Sequence, residues 1–102
     1  MSARSFISHA SRDATLAHEL VGALESAGVA CWLSSRDVPP GANYQEAIVG
    51  AIAGARALVL LLTEAANASD EVKKELSLAS AQGITVYPGL FIWEMSDTAN
   101  AL

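Results

Sequence analysis

Apolar positions along the chain follow two alternating rhythms: short unbroken runs of strand length, and longer stretches in which they recur every three or four residues. Ser5-Phe6-Ile7-Ser8 reads as a first strand, followed by the polar turn His9-Ala10-Ser11-Arg12-Asp13. From Asp13 to Ala27, Leu16, Leu20, Ala23, Leu24 and Ala27 lie at helical spacing, and Gly28 ends the run. Val29 to Leu33 is a second strand. Tyr44, Ala47, Ile48, Ala51, Ile52 and Ala55 then mark a second helix with one apolar stripe. Ala57 to Leu62 is apolar at every position, the pattern of a strand covered on both faces. Thr63 to Ser69 reads as a polar loop, with Ser69 or Asn67 capping a third helix that runs to about Gln82 and stops at Gly83. Ile84 to Pro88 is a fourth strand. Leu90 to Trp93 is an edge strand or a buried turn, and Ser96 onward starts a helix that is left unfinished. That ending suggests that residues 1–102 form one domain at the N-terminal end of a longer protein.

Strands alternating with helices through short links give an α/β sandwich around a parallel sheet. In such sheets the strand-to-helix loops gather at the carboxyl ends of the strands, where ligands bind. Three loops should meet there: Ser8–Asp13, Ser34–Asn43 and Thr63–Ser69. The second is the most distinctive. It holds an Arg36-Asp37 pair, two adjacent prolines and Gly41. Each proline fixes its own φ, Pro40 also restricts Pro39, and the glycine permits a turn. A stiff, projecting arm is expected, suited either to recognition or simply to joining strand and helix.

Composition narrows the function classes. Hydrophobic residues make up 52% of the 102, enough for one small core. The formal charge is −5 and no basic run exists, so nucleic acid and anionic membranes lack an electrostatic partner here. The single cysteine, Cys31, falls in a strand and reads as a small core residue of a reducing compartment. No signal-peptide core precedes the first strand, and the longest apolar run is too short to span a bilayer. A cytoplasmic protein is expected.

Several chemistries have no motif to carry them. There is no Gly-x-Gly-x-x-Gly and no phosphate loop ending in Gly-Lys-Ser/Thr. His9 and His18 lack a third ligand at metal spacing, and His18 reads as a surface residue. The ends of the first and third strands, Ser8-His9 and Leu62-Thr63, lack the carboxylates of a phospho-receiver. Glu75 stands out instead. With Val72, Leu76 and Ala79 facing inward at ~100° per residue, Glu75 falls about 60° from the stripe's centre. A carboxylate on that margin is partly desolvated, which raises its pKa. Glu71, one turn earlier, is a like charge that costs an exposed helix roughly 0.2–0.5 kcal/mol, so stability alone does not select the pair. The alternative is a solvated glutamate on an acidic helix.

Three segments, Phe6-Ile7-Ser8-His9-Ala10-Ser11-Arg12-Asp13, Cys31-Trp32-Leu33 with Arg36-Asp37-Val38-Pro39-Pro40-Gly41, and Ser69-x-x-Val72-Lys73-Lys74-Glu75-Leu76, together resemble the Toll/interleukin receptor (TIR) domain. The likeness is to its bacterial branch and spans nearly the whole chain. It implies a flavodoxin-like three-layer sandwich with a five-stranded parallel sheet. It also implies a mobile loop after the second strand (here Ser34–Asn43), through whose Arg36–Gly41 part copies self-associate. For many bacterial members it implies cleavage of NAD+ at the nicotinamide–ribose bond, with NAD+ as substrate and no cofactor. The essential glutamate of those enzymes matches Glu75. Their nucleotide pocket matches Ser8, His9, Ser11 and Arg12 after the first strand, and Trp32, Arg36, Asp37 and Tyr44 around the second-strand loop. The resemblance further implies antiphage defence or signalling, and a C-terminal sensor or effector domain. This sequence departs from the family at Glu71, where many active relatives carry an aromatic residue, and in its last helix, which is cut short.

The implied chemistry suits a sparse site. Nicotinamide in NAD+ is cationic and leaves as a neutral molecule without a general acid. One carboxylate, Glu75, stabilises the oxocarbenium-like ribose. Ser8, His9 and Arg12 would position ribose or diphosphate. Trp32 and Tyr44 are either ring-packing surfaces or core residues. Arg36 and Asp37 either contact ligand or pair with each other to brace the loop. A purely docking role for the Arg36–Gly41 loop, without turnover, is the competing reading.

Overall fold

A computed structural model describes residues 4–88. Four parallel strands form one sheet: β1 (Ser5–Ser8), β2 (Cys31–Trp32), β3 (Ala57–Leu60) and β4 (Val86–Pro88), in the order β2-β1-β3-β4. Five helices connect them: α1 (Ala14–Ser26), α2 (Ser34–Asp37), α3 (Tyr44–Ala53), α4 (Glu64–Asn67) and α5 (Asp70–Ala81). A 3-10 turn, Ser11–Asp13, leads into α1. This is the expected flavodoxin-like α/β sandwich. The edge strand or buried turn expected at Leu90–Trp93 and the helix start at Ser96 lie outside the described residues.

Alternation along β1 sorts the core into two halves. Ile7 faces one side and packs with Cys31, Leu33 and Leu61 against Ala17 and Val21 of α1. Phe6 faces the other and packs with Leu58 against Ile48 and Ile52 of α3 and Ala79 of α5. Ser8 shares Phe6's parity, so its hydroxyl is directed to the α3–α5 layer. Cys31 is a buried free thiol, raised above its usual pKa chiefly by burial. Gly28 and Gly83 adopt φ of 89° and 69°, the left-handed geometry that lets the chain turn after α1 and α5.

Several elements differ from the sequence expectations. The strands are shorter: β2 is Cys31–Trp32 rather than Val29–Leu33, and β4 is Val86–Pro88 rather than Ile84–Pro88. β3 stops at Leu60 and Leu62 is exposed, because pairing with β1 ends at Ser8–Leu60. The first helix begins at Ala14, not Asp13, and buries Ala17 and Val21 most deeply, while Ala23 and Ala27 lie outside. Small Ala17 lets α1 approach the sheet closely. Two stretches read as loop contain helical turns. Thr63–Ser69 holds α4, whose first turn is capped by the Thr63 hydroxyl accepting the Ala66 N–H at 3.0 Å. Ser34–Asn43 begins with α2, closed by the Asp37 carboxylate accepting the Leu33 N–H at 2.9 Å. The third helix expected from the sequence is α5, with Ser69 rather than Asn67 as its cap: the hydroxyl accepts from the Val72 N–H.

Candidate active site

The first and third strand-to-helix loops meet at one edge of the sheet, whereas the second makes its contacts with α1 and with Arg4 before β1. Thr63 donates its hydroxyl hydrogen bond to the Asp13 carboxylate, joining the first and third loops. His18 on α1 lies 3.0 Å from the Ser35 hydroxyl and joins α1 to the second. Neither Asp13 nor Thr63 belongs to a motif that marks it as a site residue. Only the acid-after-turn pattern at Asp13 and the capping position of Thr63 hint at their roles.

Glu75 occupies the inner face of α5 at this edge. Val72, Glu75 and Ala79, at i, i+3 and i+7, are the buried residues of the helix, whereas Leu76 is only partly buried. The inward stripe is therefore rotated toward Glu75, which is 6% exposed rather than marginal. Space for its polar head exists because β1 ends in a serine at that point. The Ser8 hydroxyl, itself fully buried, donates to Glu75 Oε1 over 2.7 Å. Burial pushes the Glu75 pKa up to about 7; the Ser8 hydrogen bond opposes the rise, and the negative charge of Glu71 adds to it. A carboxyl poised between its two states at neutral pH is thus held beside a single hydroxyl donor.

Glu75 borders a cavity of about 20 Å³ between α3 and α5, with Tyr44, Gln45, Ile48, Glu71, Lys74 and Leu78 around it. That is room for one water molecule. Tyr44, at the first position of α3, is 43% exposed and forms part of the rim rather than the core. Asn43 caps α3 by accepting the Glu46 N–H at 3.0 Å, which fixes where Tyr44 emerges. Gln45 and Lys74 are neighbours of Tyr44 and Glu75 in sequence; that adjacency was the only signal for them.

The remaining residues implicated by sequence stand apart from this cavity. Trp32 is half-buried and stacks on Phe6 with ring centroids 5.2 Å apart and planes at 15°. It also lines a second, open cavity of about 450 Å³ with Asp37, Pro39, Asn43, Glu46 and Ala51. Arg36 is engaged internally. Its guanidinium binds Asp37, the Glu25 carboxylate at 3.0 Å and the Cys31 carbonyl at 2.8 Å. Burial raises the Asp37 carboxyl, but the Arg36 and Leu33 hydrogen bonds outweigh it and leave the group below its usual value. This pair braces the loop after β2. Ser11 and Arg12 lie exposed on the 3-10 turn. His9 places Nδ1 2.8 Å from the Ala10 carbonyl, which only accepts, so Nδ1 carries the proton. Its Nε2 is buried without a hydrogen-bond partner among the described residues.

No helix among the described residues is long and apolar enough to cross a membrane. No curated protein sequence matches the chain. Solved structures similar to it include two metazoan TIR proteins. The TIR domain of a Toll-related receptor from Hydra magnipapillata superposes with a TM-score of 0.74 at 22% identity, over 83% of this chain and 67% of that one. A metazoan TIR-STING receptor from C. gigas superposes with a TM-score of 0.66 at 26% identity, over 78% of this chain. The chain spans only 27% of that receptor's length. A family model for the TIR domain matches residues 6–96. The chain belongs to the TIR-domain family.

Proposed function

We propose that the protein cleaves NAD+ at the nicotinamide–ribose bond, with Glu75 as the catalytic carboxylate. The observation that carries this reading is a carboxylate 6% exposed, with one hydroxyl hydrogen bond and, among the described residues, no salt bridge. Burying such a group costs several kcal/mol unless it is protonated or compensated, so its retention favours chemistry over stability. In the reaction the C1′–N bond breaks and its electron pair leaves with nicotinamide, which becomes neutral. Positive charge develops on the ribose ring, where ionised Glu75 stabilises it. Water then adds to C1′ and releases a proton, giving ADP-ribose; attack by a group of the nucleotide itself gives a cyclic product instead. Ser8 holds the carboxylate in place. Tyr44, on the rim, is assigned to pack on the departing ring, and His9 and Arg12, on the loop after β1, to hold the ribose.

The cavity at Glu75 has room for a water but not for a nicotinamide ring, so Tyr44 and the α3–α5 rim must part to admit substrate. Self-association through the Arg36–Gly41 loop supplies that opening in our reading. Arg36 and Asp37 support it as the loop's brace, leaving Pro39, Pro40 and Gly41 exposed for the neighbouring copy. A cytoplasmic enzyme that depletes NAD+ in defence or signalling, governed by a sensor or effector domain after residue 102, fits this arrangement. The same small cavity, with Glu71 in place of an aromatic residue, favours a second reading as a docking module without turnover. Incubation with NAD+ at rising protein concentration, with and without a crowding agent, separates the two: free nicotinamide that rises with assembly supports the enzyme, and none at any concentration supports the module.

A further inference from the structure

We propose that the groove between α3 and α5 binds the ADP-ribosyl half of a dinucleotide, with Lys73 and Lys74 on its diphosphate and Val49 and Leu78 beneath its base. The assignment rests on the reading of Glu75 as the catalytic group.

The groove is open and holds about 530 Å³, within the range of small-molecule sites, whereas the cavity at Glu75 holds about 20 Å³. The two adjoin. Gln45, Lys74 and Leu78 line both, so a ligand whose ribose reaches Glu75 from the α3 side has its remaining half in the groove. Val49, 47% exposed on α3, and Leu78, partly buried on α5, give the floor an apolar surface suited to a flat base. Ser77 adds a hydroxyl at the wall.

Charge selects the other end of the ligand. The chain is acidic, at −5, yet two of its six cations face this groove. Among the described residues neither lysine is ion-paired, while Arg4 and Arg36 are both committed to carboxylates. Asp70 is the one carboxylate on the groove wall, so the two ammonium groups outweigh it. A diphosphate is the part of a dinucleotide that matches two exposed lysines lining one groove.

Calorimetric titration of the protein with ADP-ribose tests the assignment without turnover. Saturable binding is expected, weakened about tenfold in the Lys73→Gln/Lys74→Gln double variant and weakened again on raising salt from about 50 to about 300 mM. Both substitutions are at exposed positions, and circular dichroism verifies the fold. In turnover, the double variant should raise the KM for NAD+ more than it lowers kcat. Equal ADP-ribose binding by parent and double variant, or none by the parent, overturns the groove assignment and leaves Glu75 to be judged by its own variant. Conversely, if Glu75→Gln turns over NAD+ like the parent while the lysine variant loses ADP-ribose, the groove stands and the catalytic reading falls.

Discussion

The Ser8 hydroxyl and the Glu75 carboxylate, 67 positions apart in sequence, meet at 2.7 Å where the end of β1 passes under α5. Both groups are buried, and the hydrogen bond favours the ionised form against the desolvation that opposes it. Removing the donor therefore moves the balance. In Ser8→Ala, the Glu75 pKa should rise further above about 7, shifting the midpoint of the pH–rate profile upward by about 1 pH unit. Nicotinamide release measured between pH 6 and 9 checks this, with the largest loss of rate near neutrality.

Glu75 should also cost the fold stability in alkaline solution. Its folded pKa of about 7 lies above the ordinary value of 4.5, so the folded state holds the proton more tightly than the unfolded state. Stability from that proton is complete below 4.5 and is lost as pH rises through about 7. The full loss is roughly 3 kcal/mol by linkage. Glu75→Gln, which stays neutral, should match the parent near pH 4.5 and exceed it by roughly 1–3 kcal/mol at pH 8. Urea unfolding at the two pH values measures the difference.

The brace behind the second loop gives a third expectation. Asp37 accepts the N–H of fully buried Leu33 and binds Arg36, so Asp37→Ala leaves a buried donor unpaired and the guanidinium held by Glu25 and the Cys31 carbonyl alone. A loss of roughly 1–3 kcal/mol in urea unfolding is expected, with a lower assembly-dependent rate. Because the carboxyl lies below its usual pKa, the parent's advantage is present above that usual value and fades as pH falls through the folded one.

How far the sequence foretold this site depends on the range of the interaction concerned. Glu75 was legible because helical periodicity is local: Val72 and Ala79 set the face, and arithmetic brought the glutamate to its margin. Its true depth was not legible, because the space comes from Ser8 on a different strand. Hydrophobicity alone puts Leu76 on the inward stripe, and only the packed sheet shows Glu75 displacing it. Helices α2 and α4 were hidden by strong loop signals, two prolines in one case and a polar run in the other. Yet Thr63, followed by Glu64-Ala65-Ala66, is a capping pattern that local reasoning can recover. The bracing by Arg36 was one of two open readings, and its contacts to Glu25 and the Cys31 carbonyl come from the fold rather than from spacing.

The most direct test compares parent and Glu75→Gln for nicotinamide released from NAD+, at matched high protein concentration with crowding agent, near pH 8. The account predicts turnover by the parent and a loss of about a hundredfold or more in the variant, whose fold is at least as stable. Equal rates in the two proteins would contradict it.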